Sequence, residues 1–140
     1  MNEDLISGNF SDNVNRKFIQ RYIRLLFILI ILFLIFTILN FTDWYIAIKN
    51  AHPVKETLLT TFHYKIHPVL IVIEVALSAL ALNNYLKAQK LILHSFEKDN
   101  VELFNKGYSL LNGAAIINIA GYCMLILSIS YRMFLTYLIP

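Results

Sequence analysis

One uninterrupted apolar run constrains this chain more than any other feature. Between Arg24 and Asp43 the sequence reads LLFILIILFLIFTILNFT, with no formally charged residue. As a helix, such a run is long enough to cross a bilayer core of roughly 30 Å. It is too long for the apolar part of a signal peptide, and no small-residue cleavage site follows it. We therefore expect a retained transmembrane helix over residues 22–41.

The composition of the whole chain points the same way. Of its 140 residues, 58% are hydrophobic and 15% are charged, whereas charged residues make up about a quarter of an ordinary soluble domain. Two further apolar segments predict spans over residues 68–88 and 108–131. We expect an all-α integral membrane protein with three transmembrane helices, built as one domain over residues 16–140 behind a flexible polar tail over residues 1–15.

The first connection, residues 43–67, contains a second helical pattern. Pro53 suits the first turn of a helix, and apolar residues recur behind it at steps of four, next to charged and hydroxyl-bearing residues. This pattern predicts a short amphipathic helix in the membrane interface between helices 1 and 2. Pro68 disfavours helical geometry at His67, so we expect a break there.

The second connection is predicted to be a tight turn. The helical pattern runs past residue 88 to Lys98, Asp99 and Asn100, where Asp99 and Glu102 have the spacing of a capping box. Helices 2 and 3 would then form a long hairpin that extends beyond the bilayer. In such a hairpin Glu74 would lie level with Met124.

Orientation follows from the positions of lysine and arginine. The N-terminal side and the hairpin turn carry eight of them, and the opposite side carries four, namely Lys49, Lys55, Lys65 and Arg132. This distribution predicts a cell-membrane protein whose N-terminus and hairpin turn face the cytoplasm and whose C-terminus faces outward. The wealth of Ile, Asn and Lys is typical of small bacterial membrane proteins.

Polar residues inside the predicted spans are the candidate functional residues. Glu74 is the most notable, because a carboxylate in hydrocarbon is costly and such residues often mark a proton or ion pathway. A hydrogen-bonded glutamate that holds the bundle together is the alternative. The other intramembrane candidates are Ser78, Asn83, Asn84, Asn112 and Asn118, whose side chains can form hydrogen bonds between helices.

Three histidines, His52, His63 and His67, fall in the first connection. His63 and His67 are four residues apart, as metal ligands on a helix can be. An interfacial segment also exposes its histidines to water, where they would respond to pH. We expect such surface groups, with weak metal binding as the alternative, and we assign no metal site.

No sequence motif for catalysis is present. The chain has one cysteine, Cys123, no glycine-rich phosphate loop and no Ser/His/Asp set, so we expect no cofactor and no catalytic residue. The net charge of +3 is spread over helix ends, which argues against nucleic acid as a partner.

The sequence favours a non-enzymatic membrane protein that acts by association, either with itself or as an accessory subunit of a larger membrane complex. A small oligomeric transporter or channel, proton- or cation-linked through Glu74, is the alternative. An enzyme that uses the three histidines and a metal is a third, weaker hypothesis.

Overall fold

Three long helices make up the fold, which is given by a computed structural model that describes residues 16–50 and 61–138. They are α1 (Arg16–Asn50), α2 (His67–Lys98) and α3 (Val101–Leu138), and a π-helical turn (Phe62–Ile66) leads into α2. No strand occurs within these two described segments. The expected all-α class is therefore confirmed, whereas the expected tail over residues 1–15 lies outside the described residues.

The buried face of each helix follows a seven-residue repeat. In α1, buried residues recur at alternating steps of four and three from Ile19 to Asn40, and α3 has the same rhythm from Gly107 to Ser128. In α2 the rhythm covers the helix: His67, Ile71, Glu74, Ser78, Ala81, Tyr85, Ala88, Ile92 and Ser95. This spacing keeps a narrow seam facing the neighbouring helices, as in left-handed helical bundles.

A tight turn joins α2 to α3, as expected, but its cap differs from the expectation. Asp99 ends α2 in the left-handed conformation, with φ at 47°. Asn100, not Asp99, caps α3, because its side-chain Oδ1 accepts a hydrogen bond from the Leu103 backbone N–H at 3.0 Å. The capping box predicted at Asp99 and Glu102 is therefore wrong, because the cap lies one residue later and the residue three positions after it is Leu103.

Glycines allow α2 and α3 to approach each other closely. A Cβ atom at Gly107 would lie 2.8 Å from Ile92 Cγ1 and 3.1 Å from the Ile92 backbone nitrogen. Only glycine permits a neighbouring backbone this near. Following the four-three repeat from this contact places Glu74 level with Leu125, one residue from the level expected from the sequence.

The first connection is shorter than expected. We predicted a connection that starts at Asp43, but α1 continues to Asn50. At the other side of the connection the chain is already helical from Thr61, and the π-helical turn passes at His67 into α2, so the break expected at His67 is wrong. Pro68 has no N–H to donate to the carbonyl four residues earlier, and a widened turn is one way to pass such a residue. Most of the expected interfacial helix lies outside the described residues.

Each of the three helices is long and apolar enough to cross a membrane. Their outward faces carry many large apolar side chains that no part of the described chain covers, such as Leu32 on α1, Leu80 on α2 and Ile119 on α3. In water such a surface would be unstable, whereas in lipid it matches its surroundings. These properties indicate a membrane protein.

Candidate functional site in the polar half of the core

The polarity of the buried side chains changes along the seam between the helices. Towards the α2–α3 turn it is mainly apolar, with Ile23, Ile92 and Leu111 among the residues of its core, although Ser95 is also buried there. Towards the opposite end many of its buried side chains are polar: Thr37 and Asn40 on α1, His67, Glu74 and Ser78 on α2, and Asn118 and Ser128 on α3. We call this second set the polar half of the core.

Asn40 connects the two titratable residues of the polar half. Its Nδ2 group donates to Glu74, at 3.2 Å from Oε2 and 3.5 Å from Oε1. Its Oδ1 atom lies 3.1 Å from His67 Nε2. Since Asn40 belongs to α1 and the other two residues belong to α2, one amide ties these helices together. The oxygen end of the amide can only accept, so His67 carries a proton on Nε2 in this arrangement.

Asn40, His67 and Glu74 are all buried in the bundle. Glu74 is 0% exposed and His67 is 1% exposed. Burial of this kind is tolerated for polar groups when they are hydrogen-bonded, and it is especially costly for an ionised group that lacks a partner. The Asn40 amide is thus a central contributor to the stability of the site.

Other polar atoms of this half have no hydrogen-bond partner within the described part of the chain. These buried atoms are Thr37 Oγ1, Asn118 Oδ1 and Ser128 Oγ. Ser78 differs, because its hydroxyl donates to the backbone carbonyl of Glu74 at 2.9 Å. Buried oxygens of this sort are common binding sites for internal water in folded proteins.

An ion pair and a groove lie at the end of the polar half. Arg132 of α3 pairs with Asp43 of α1. Beside this pair, α1 and α3 enclose an open groove of about 190 Å³. Its lining consists of Phe36, Leu39, Asn40, Asp43, Ile129 and Arg132. Because Asn40 lines the groove and also contacts Glu74, the groove reaches to within one side chain of the buried carboxyl group.

The structure separates the asparagines that the sequence grouped together. Asn118 is buried in the polar half, and Asn112 accepts a hydrogen bond from the Tyr22 hydroxyl of α1 at 3.4 Å. Asn84 is half-buried, with its Nδ2 atom near Gly113 of α3. Asn83, in contrast, lies exposed on the outward face of α2. Glu74, Ser78 and Asn118 therefore share the core, and the other three candidates do not join them.

One of the three histidines, His67, differs from the expectation. We expected His67 at the wet surface of an interfacial segment, but it is buried and hydrogen-bonded inside the bundle. Its position as the first residue of α2 turns it onto the seam, one turn ahead of Ile71. His52 and the side chain of His63 lie outside the described residues. Within the described part of the chain, no group of three potential His, Cys, Asp or Glu metal ligands is present.

Four residues of the site were not predicted from the sequence. Asn40 and Thr37 stand inside the apolar run that defines the first span, Asp43 was assigned to the connection, and Ser128 was not singled out. A signal for the first two was available, since they continue the four-three rhythm of the apolar residues before them. The pairing of Asp43 with Arg132 had no local signal, because it depends on the register of α1 against α3.

Chemically, the polar half offers a carboxyl group and an imidazole that share one amide, with hydroxyl and amide oxygens nearby. Such a set can hold protons and water. No protein-family model, no curated protein and no solved structure matches this chain.

Proposed function

We propose that this protein is a non-enzymatic, three-span membrane protein that acts by association, with itself or as an accessory subunit of a larger membrane complex. The observation that carries the proposal is Asn83, an amide on the outward face of α2 inside the span predicted over residues 68–88. In lipid, an amide in this position gains hydrogen bonds when another helix comes to it.

The residues around Asn83 favour close contact with a second helix. Ala76 and Ala79 lie exposed on the outward side of α2, two turns and one turn before Asn83 respectively. Small residues let helix backbones approach closely, and a polar side chain beside them can then bond across the contact. Ala76, Ala79 and Asn83 form the proposed association face.

The buried position of Glu74 bears on the alternative function. A transport path between copies of the chain would need Glu74 to face another copy, whereas its side chain lies in the core of a single chain. The geometry therefore favours association over an oligomeric channel lined by Glu74.

The distribution of charge supports the proposed orientation. The start of α1 and the α2–α3 turn lie at the same end of the bundle, where the Arg16 guanidinium is 4.8 Å from the ring centre of Phe96. The basic residues of both segments are therefore gathered at one end: Arg16, Lys17, Arg21, Arg24, Lys87, Lys90, Lys98 and Lys106. By the positive-inside rule this end faces the cytoplasm of a cell membrane.

The association face can be tested by counting subunits in lipid. We expect wild-type protein to self-associate, or to co-purify with a membrane partner, when it is crosslinked in native membranes. Asn83→Leu should weaken that association about three- to twentyfold, since interhelical hydrogen bonds in membranes contribute about 0.6 and up to about 1.7 kcal/mol. Subunit counting by single-molecule photobleaching at several protein-to-lipid ratios measures the change.

Two control variants separate the association face from general effects. Asn105→Leu makes the same substitution at an exposed position of α3 outside the predicted span, and it should leave association unchanged. Ala120→Ile adds bulk on the outward face of α3, whereas Ala76→Ile adds the same bulk on the proposed face. A strictly monomeric wild-type protein without a membrane partner, or equal effects of the two isoleucine variants, would contradict the proposal.

A further inference from the structure

Two titratable side chains in the core share one hydrogen-bonding group. The Asn40 amide presents its N–H₂ end to the Glu74 carboxyl group and its oxygen end to His67 Nε2. An amide donates only from its nitrogen and accepts only at its oxygen. In this orientation the Glu74 carboxyl group is therefore the acceptor, and the His67 ring is the donor. A change in the protonation of either side chain is therefore felt by the other through their common contact.

The groove between α1 and α3 connects this pair to the end of the bundle that carries Arg132. Its volume of about 190 Å³ exceeds the 10–15 Å³ that one water requires by a wide margin. The buried hydroxyl oxygens of Thr37 and Ser128, in the same half of the core, are further sites where water can bind. Asn40 forms part of the groove lining, which places the Glu74 carboxyl group directly behind it.

The charged groups around Glu74 come from all the elements packed against it. On α1, Asp43 follows Asn40 by about one turn, and it pairs with Arg132 of α3 at the mouth of the groove. On the α2 side, His67 lies in the core, and the exposed Lys65 precedes it on the π-helical turn. Because the mouth pair is neutral overall, it presents no net charge to a proton carried by water.

We propose that Glu74 and His67, bridged by Asn40, form a proton-binding site that exchanges protons with water through the groove beside Asp43 and Arg132. The Asn40 N–H₂ group faces both oxygens of the carboxyl group, so a metal ion cannot chelate the group from that side, and the described residues contain no group of three metal ligands; we therefore assign the proton as the ligand.

The proton balance of the site is simple. With one proton shared by the two side chains, the site holds either a carboxylate and an imidazolium or a carboxyl group and a neutral imidazole, and both forms have zero net charge. Uptake of a second proton from a hydronium ion in the groove leaves a carboxyl group and an imidazolium, with a water molecule as the other product. The site then carries one positive charge.

Infrared difference spectroscopy of the full-length protein in lipid nanodiscs tests the site directly. Spectra taken between acidic and alkaline pH should contain the carbonyl band of a protonated carboxyl group, and Glu74→Gln should remove that band. Glu97→Gln is the matched control, because Glu97 forms an exposed pair with His94 on the same helix at 3.2 Å. Glu74→Asp gives a second readout, since it should shift the band. A band that is unchanged in both Glu74 variants would overturn the proposal.

The coupling of the two side chains has its own readout. In His67→Gln the pH midpoint of the Glu74 band should move by about one pH unit or more, as for other strongly interacting pairs. His94→Gln, which changes an exposed histidine on α2, should leave this midpoint in place. Equal midpoints in wild type and His67→Gln would show that the two groups titrate independently and would overturn the pairing.

Access through the groove is tested with cysteines one turn apart on α3. In a Cys123→Ser background, Ile129→Cys places a thiol in the groove lining, whereas Ile126→Cys places one on the outward apolar face. A water-soluble, membrane-impermeant thiol reagent should modify the cysteine at 129 faster than the one at 126. Equal rates, or faster modification at position 126, would overturn the assignment of the groove as the proton path.

Discussion

At the scale of single residues, the stability of the core depends on how Glu74 is satisfied. The carboxyl group has no exposure to solvent, and the Asn40 amide is its hydrogen-bond donor from another helix. Removal of one partner leaves the other with the full cost of an unsatisfied buried polar group. The amide of Asn40 therefore matters more than an average hydrogen bond between two helices.

Replacement of Asn40 tests this dependence. Asn40→Leu should lower the free energy of unfolding by about 1–3 kcal/mol, because the variant leaves the buried Glu74 carboxyl group without its donor. Reversible unfolding in mixed detergent micelles, followed by circular dichroism, measures the difference. Asn105→Leu, an exposed change on α3, should have little effect. If the two leucine variants were equally stable, the bridging role of Asn40 would be wrong.

The sequence could reveal only part of this site. Glu74, Ser78 and Asn118 stand out as polar residues in apolar surroundings, and the structure buries all three. Asn40 was not predicted, because the mean hydropathy of the first span is set by its many apolar residues and one amide changes it little. His67 was placed at the surface because it precedes Pro68, whereas its actual environment is set by the packing of α1 against the start of α2.

At the scale of helices, close contacts at glycines determine how the elements fit. The ring of Phe33 on α1 is packed onto Gly121 of α3, at the position that a Cβ atom would occupy. Phe33 is fully buried, so its ring has little room to move aside. The hydroxyl of Tyr122 adds a bond to the Leu29 backbone carbonyl at 2.9 Å, which also joins α3 to α1.

A double-mutant cycle tests the contact between Phe33 and Gly121. Gly121→Ala should destabilise the bundle by about 1–3 kcal/mol, because the added methyl group overlaps the aromatic ring. Phe33→Leu in the same chain should recover part of this loss, which would give a measurable coupling energy. Melting temperatures in one detergent suffice for the comparison.

Gly113 provides the control for that cycle. A Cβ atom at Gly113 would meet only Asn84 Nδ2, at 3.8 Å, which is an ordinary contact. Gly113→Ala should therefore be neutral or stabilising, because alanine favours helices over glycine by about 0.5–1 kcal/mol. Equal stability of the Gly113 and Gly121 variants would contradict the described packing of α1 on α3.

Helix number and the hairpin turn followed from the sequence, whereas the length of α1 did not. Long apolar runs predict helices in a membrane independently of tertiary structure, because the backbone must satisfy its own hydrogen bonds there. The end of α1 depends on tertiary contacts instead. Thr42 and Asp43 read as the start of a connection, but the Thr42 hydroxyl bonds to the Ile38 carbonyl and Asp43 pairs with Arg132, so the helix continues past both.

At the scale of the whole molecule, the protein combines an apolar exterior with a core that is polar at one end. The apolar half of the seam packs isoleucine, leucine, alanine and tyrosine, and the polar half collects the hydrogen-bonding groups. This arrangement suits a protein surrounded by lipid, because polar groups find partners inside the bundle and apolar groups face hydrocarbon. The proposed association through Asn83 and the proposed proton binding at Glu74 both depend on that placement.

The immersion of all three helices in lipid is the central claim, and spin-label accessibility measures it most directly. In a Cys123→Ser background, single cysteines at Leu32, Leu80 and Ile119 place one label on the exposed face of each helix. In reconstituted bilayers, each label should collide often with oxygen, which concentrates in hydrocarbon, and rarely with a water-soluble paramagnetic complex. Frequent collisions with the water-soluble complex at these positions would contradict a three-span membrane protein.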